Sequence, residues 1–145
     1  MARGANQKLK ILYVAKILNT TDEEHPITCE EILRYLEANG IEAERKTVYS
    51  DIEALQNFGM DIVLQRGKGY FLASRTFELP ELRLLVDAVQ CSRFVTQKKT
   101  LELIGKLETL CGKAQAQKLN GQVFVFNRIK AMNESIYYTV DAVQE

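Results

Sequence analysis

Two short helical segments, each closed by a glycine, stand almost back to back between residues 28 and 59, and a basic two-glycine turn follows directly. That succession admits few folds. Thr28-Cys29-Glu30-Glu31 has the Ser/Thr-x-x-Glu form of a capping box, in which hydroxyl and carboxylate each satisfy an orphan backbone donor at a helix start. Ile32, Leu33 and Leu36 supply the buried face of the helix it opens. Gly40 stands where a left-handed cap ends that helix, because only glycine takes positive φ without a Cβ penalty. After a brief connection, Val48, Ile52 and Leu55 fall at i, i+4 and i+7 within 45–58, and Gly59 again punctuates the end. Residues 61–65 and 70–73 are short, rich in β-branched, aromatic and aliphatic residues, and separated by Arg66-Gly67-Lys68-Gly69, which predicts a β-hairpin.

Upstream, Leu9, Ile11, Leu12, Val14, Ala15 and Leu18 recur at helical spacing and predict a first helix over 7–19, ended by a polar loop containing Pro26. Three helices followed by a small hairpin is the winged helix-turn-helix order, and the short connection between helices two and three favours the helix-turn-helix crossing over an antiparallel bundle. The character changes at Ser74-Arg75-Thr76. The expected fold is therefore mainly α: a winged helix-turn-helix DNA-binding domain over 1–75, then a helical linker and dimerisation region over 76–145.

In that second region Leu79, Leu82, Leu85, Val86 and Val89 mark a helix over 80–93, with Pro80 at an early helical position. Another is expected over 97–110, with Thr96 as N-cap, a stripe of Leu101, Ile104, Leu107 and Cys111, an i, i+4 pair of Glu102 with Lys106, and Gly112 at its end. Val123-Phe124-Val125-Phe126, within 122–127, reads equally as an extended segment or a packed connector. Ile136, Tyr137, Val140 and Val143 place a last helix over 133–144 with no C-terminal cap signal. The excess of apolar stripes after Leu79 points to a homodimer.

Composition removes other classes. Nothing at the start has the form of a signal peptide, and no stretch is long enough to span a bilayer, so no membrane role is expected. Cys29, Cys91 and Cys111 are odd in number and widely separated, and they read as helix-packing residues. With no Cys-x-x-Cys pair and a single histidine, His25 in a polar loop, neither a disulfide framework nor a metal site is indicated, and a cytoplasmic setting fits. Nothing assembles a catalytic or cofactor site. The formal net charge is zero, but 62–77 contains Arg66, Lys68 and Arg75 and no acid, which allows one basic edge on a neutral body.

A helix that reads a major groove presents an open side near its N-terminus and packs its other side on the module's core. With Val48, Ile52 and Leu55 inward, steps of about 100° per residue put Lys46, Ser50, Glu53 and Asn57 outward, with Thr47 and Tyr49 on the flanks. Lys46, Thr47, Tyr49 and Ser50 are thus the candidates for groove contacts in double-stranded DNA. Arg45 is expected at a phosphate, and Arg66 and Lys68 at a second backbone or the adjacent minor groove. Asp51, on the core flank, is expected to pair within the fold. The outward Glu53 and the zero net charge keep one alternative open, a winged-helix module for protein-protein contact.

Arg45-Lys46-Thr47-Val48-Tyr49-Ser50-Asp51-Ile52-Glu53-Ala54-Leu55, then Gly59, then Gly67-Lys68-Gly69-Tyr70, resembles the DNA-binding module of WYL-domain transcriptional regulators. The chain departs from that family's usual form at Ser50, where a basic residue is frequent, and at Glu44. The helices after Pro80 and the segment 127–138 are similar to the region leading into that family's WYL domain. The resemblance implies a transcriptional regulator whose effector-sensing domain is missing here, so that this chain is expected to be a fragment.

Overall fold

The computed structural model describes residues 2–120. They are mainly helical, with one two-stranded antiparallel hairpin, and the chain divides into two compact units between Arg75 and Thr76. The segments 122–127 and 133–144 lie outside the described residues.

In the first unit, α1 spans Ala2–Leu18, α2 Cys29–Ala38, α3 Arg45–Phe58, β1 Asp61–Gln65 and β2 Gly69–Ser74. Helix α1 begins five residues before the expected start, because Ala2, Arg3 and Ala5 favour helix without belonging to the apolar stripe. Val14 and Leu18 are fully buried on it, joined by Ile11, Tyr13, Ala15 and Ile17, while Leu9 and Leu12 are exposed against expectation. With apolar residues on all sides of this helix, spacing alone does not identify the buried face. The position that completes that face is Lys10, whose ammonium reaches the Asp51 carboxylate of α3 at 2.7 Å with its side chain almost wholly buried.

Both caps of α2 form as the sequence requires. Thr28 Oγ1 accepts from the Glu31 amide at 3.1 Å, and Glu31 Oε1 accepts from the Thr28 amide at 3.2 Å. At the other end Gly40 takes φ 77°, its amide donates to the Glu37 carbonyl, and the Ile41 amide donates to Leu36. This is the Schellman arrangement, and it carries Ile41 into the core. Val48, Ile52 and Leu55 of α3 close on Ile32, Leu36, Ile62 and Leu72, forming one core beneath the helices and hairpin.

The hairpin pairs Ile62 with Leu72 and Gln65 with Gly69, leaving Arg66, Gly67 and Lys68 as its turn. The loop before α2 adds a third extended element, because Ile27 and Tyr70 exchange backbone hydrogen bonds at 2.8 and 2.7 Å across an antiparallel bridge. Gly69 makes this possible. Its φ is +125°, and a Cβ there would lie 2.3 Å from the Ile27 carbonyl oxygen. The second glycine of the turn thus serves contact with the protein's own backbone. Thr21, buried at the end of α1, ties the other part of β2 by accepting from the Leu72 amide at 2.9 Å.

In the second unit, α4 spans Leu79–Cys91, α5 Gln97–Glu108 and α6 Lys113–Asn120. Leu82, Val86, Ile104, Cys111 and Leu119 form its buried core. Both α4 and α5 stop two residues short of the expected ends, with Ser92 and Thr109 as their C-caps. Thr96 caps α5 as expected, through the Lys99 amide at 3.1 Å. Leu101 is exposed and Thr100 buried in its stead, while Ile104, Leu107 and Cys111 pack inward as expected. Glu102 meets Lys99, one turn before it, at 3.5 Å, and not the expected Lys106, one turn after it; both positions lie within reach of a helical carboxylate. Cys91 is exposed, not packed, because α4 ends on it. Helix α6 was not anticipated: its residues are good helix formers, but Leu119 is its one fully buried position.

Candidate nucleic-acid interface

The open side of α3 is set by what holds its other sides. Val48, Ile52 and Leu55 pack inward, Asp51 is fixed to Lys10 of α1, and Gln56 donates to the Ile62 carbonyl of β1 at 2.8 Å. Lys46, Ser50, Glu53 and Asn57 remain, and all four are exposed. They occupy one stripe, because successive steps of three and four residues return to nearly the same side of a helix. Lys46 lies in the first turn, where a donor has unobstructed reach.

The flanking candidates are more constrained than their sequence positions suggest. The Thr47 hydroxyl donates to the Glu44 carbonyl at 2.8 Å and accepts from the Glu44 amide at 3.2 Å, so it closes the start of α3. Arg45 is exposed, yet its guanidinium is paired with Glu30 at the start of α2. Tyr49 and Glu30 both favour its charged form, raising its pKa above the usual arginine value. Spacing gave no sign of the Arg45–Glu30 pair, because the partners are fifteen residues apart and meet only when α2 and α3 cross.

Tyr49 is the junction of this corner. The residue is 44% exposed. Its phenol lies beside Arg45 and Cys29, where it favours the charged form of each. Burial pushes the Cys29 thiol up, against the smaller opposing effects of Tyr49 and Arg45. Tyr70, half-buried on β2, has its phenol raised by burial first and then by the neighbouring Tyr49 and Cys29. The first turn of α3, the start of α2 and the tip end of β2 therefore meet at Tyr49.

At the hairpin tip, Arg66, Gly67 and Lys68 are all exposed, and Gly67 turns the chain at φ 77° with open space around it. Asp61, the acid of this hairpin, lies at its far end and accepts from the Ser74 hydroxyl at 2.6 Å. The tip is accordingly basic although residues 1–75 as a whole hold ten basic and eleven acidic side chains. His25 belongs to a separate loop, with its ring Nδ1 2.9 Å from the Asp22 carboxylate. Among the described residues, no group of His, Cys, Asp and Glu is arranged to hold a metal ion, and no helix is long and apolar enough to cross a membrane.

Residues 13–67 match the family model described as "FokI, D3 domain", a DNA-binding winged-helix-like domain. The match runs from α1 through α2 and α3 into the hairpin turn and covers well under half of the chain. No curated protein and no solved structure matches the chain.

Proposed function

We propose that this chain is a sequence-specific transcriptional regulator that binds double-stranded DNA with α3 in the major groove and the hairpin tip on the adjacent backbone or minor groove. The observation that carries the reading is the open stripe of Lys46, Ser50, Glu53 and Asn57 on a helix fixed on its other sides, with a basic two-residue tip on the same module. The family match over 13–67 supports a DNA-binding winged helix. The likeness of 45–55 and 67–70 to WYL-domain regulators supports the regulatory role.

In this reading Lys46 and Ser50 meet base edges, joined by Tyr49 from the flank. Arg66 and Lys68 neutralise phosphates. Arg45 reaches a phosphate by exchanging Glu30 for it, and Thr47 holds the first turn in place. Glu53 accepts from a cytosine amino group or stands over the groove as a bar to wrong sequences. The second unit pairs two copies through apolar side chains that it leaves exposed, Leu84, Phe94 and Leu101 among them. Light scattering at tens of micromolar that returns a monomer mass removes the homodimer.

Selection of bound duplexes from a random pool tests the main reading. Enrichment of one motif, lost in Lys46→Ala with Ser50→Ala, is the expected outcome; retention of duplexes without enrichment rejects sequence-specific reading. A second reading, a winged helix used for protein contact, draws on Phe58 of α3 and on Val63 and Leu64 of β1, all of them exposed. It predicts no duplex retention at all.

A further inference from the structure

Apolar burial is non-directional, so Val48, Ile52 and Leu55 fix the depth of α3 in the core more firmly than its rotation about its own axis. Two polar contacts supply the direction. At about 100° per residue, Asp51 and Gln56 stand about 70° to either side of the middle of that apolar stripe. Asp51 meets the Lys10 ammonium of α1 at 2.7 Å, and Gln56 donates to the Ile62 carbonyl of β1 at 2.8 Å. The helix is thus tied on both flanks, to a different element on each, and Lys46, Ser50, Glu53 and Asn57 lie exposed on the opposite side. With side chains 3% and 15% exposed, Lys10 and Asp51 are out of reach of a docked duplex. A buried ion pair contributes little net stability against an apolar replacement of similar size, so stability does not account for this one.

We infer that the Lys10–Asp51 pair, with Gln56 on the other flank, sets the rotation of α3 and so the register in which Lys46 and Ser50 meet base edges; this rests on the proposed DNA-binding function. Lys10, Asp51 and Gln56 are then positioning residues. The outer surface of a helix lies about 5 to 6 Å from its axis, so a turn of about 20° displaces a group there by about 2 Å. A hydrogen bond to a base edge tolerates about half an ångström. Arg66 and Lys68 stand on the hairpin and not on α3, so the phosphate contacts they make do not depend on that rotation. Loss of the pair lowers discrimination between sequences and spares general affinity for duplex DNA.

Selection from a random duplex pool with the full chain supplies the preferred duplex, and affinities are then measured on it and on a scrambled duplex of the same length. The double variant Lys10→Met with Asp51→Leu leaves no charge buried alone. It is expected to bind the preferred duplex about 5- to 150-fold more weakly, the worth of one good base contact, with scrambled-duplex affinity and salt slope unchanged. Because both replaced side chains are buried, a changed preference reports the position of α3 and not a lost contact with DNA. Gln56→Met, at an exposed position, keeps the reach of the side chain without its donor and is expected to lower discrimination in the same direction. Undiminished discrimination by a double variant that circular dichroism shows folded overturns the inference while leaving DNA binding intact, as does equal weakening on both duplexes. Should the double variant melt below the assay temperature, Gln56→Met decides, and undiminished discrimination there overturns the inference. A wild-type chain that retains no duplex, or enriches none, overturns the proposed function and the inference together.

Discussion

Breaking the Lys10–Asp51 pair from one side should destabilise the first unit severely, whereas replacing both partners with apolar residues should restore most of the loss. The ammonium and carboxylate are 2.7 Å apart, with side chains 3% and 15% exposed. At an effective dielectric of about 20 their attraction is about 6 kcal/mol, and the removal of two ions from water costs several kcal/mol each, so the intact pair contributes little net stability. Removing one partner leaves the other charge buried without compensation, at a cost of about 3 to 5 kcal/mol. For a unit of this size each kcal/mol moves the melting temperature by about 4 to 8 °C, so Asp51→Leu or Lys10→Met alone should lower it by roughly 12 °C or more. The double variant sets a methionine against a leucine in place of the two charges and should recover to within a few degrees. Thermal melting by circular dichroism gives the overall transition, and hydrogen exchange at Val48 reports the first unit locally. A single variant as stable as the wild type, or a double variant no better than the worse single, refutes the reasoning.

Gly69→Ala should cost about 1 to 3 kcal/mol from backbone strain, and more from the clash with the Ile27 carbonyl, while Gly67→Ala should cost only the strain. Urea midpoints compare them. Arg66→Ala with Lys68→Ala should flatten the slope of log affinity against log salt by about 0.9 per lost phosphate contact, read by fluorescence anisotropy on a labelled duplex. Glu30→Gln should steepen it by a similar amount, because Arg45 is then free to reach a phosphate and the exposed pair it leaves contributes at most about 1 kcal/mol. Thiol alkylation under native conditions, mapped by mass spectrometry, should label exposed Cys91 first. The buried Cys29, with its thiol pKa raised by that burial, should react slowly and gain on rising pH as its thiolate forms.

Local signals in the sequence marked the ends of elements well. Thr28 with Glu31, Gly40, and the spacing of Val48, Ile52 and Leu55 each specify their structure through groups within a turn or two, and each forms as its chemistry requires. Features made by distant residues were not legible. The Ile27–Tyr70 bridge joins a loop that reads as polar connection to a strand forty-three residues on, and the only hint of it is a glycine that also suits the turn. Lys10 reads as a solvated charge until Asp51 is brought against it. The same limit applies to the interface. The stripe from Lys46 to Asn57 follows from helical periodicity and the Thr47–Glu44 contact lies within one turn, but the pairing of Arg45 with Glu30 and the approach of Tyr49 to Cys29 depend on how α2 and α3 cross. Those three contacts decide which polar groups on the face remain available.

Amide chemical shifts recorded while duplex DNA is added at low salt test the central claim most directly. The account predicts the largest changes at Lys46, Tyr49, Ser50 and Asn57 and at the turn formed by Arg66, Gly67 and Lys68, with Val14 and Leu18 of the core scarcely moved. Changes concentrated on Phe58, Val63 and Leu64 instead, or none anywhere, contradict it.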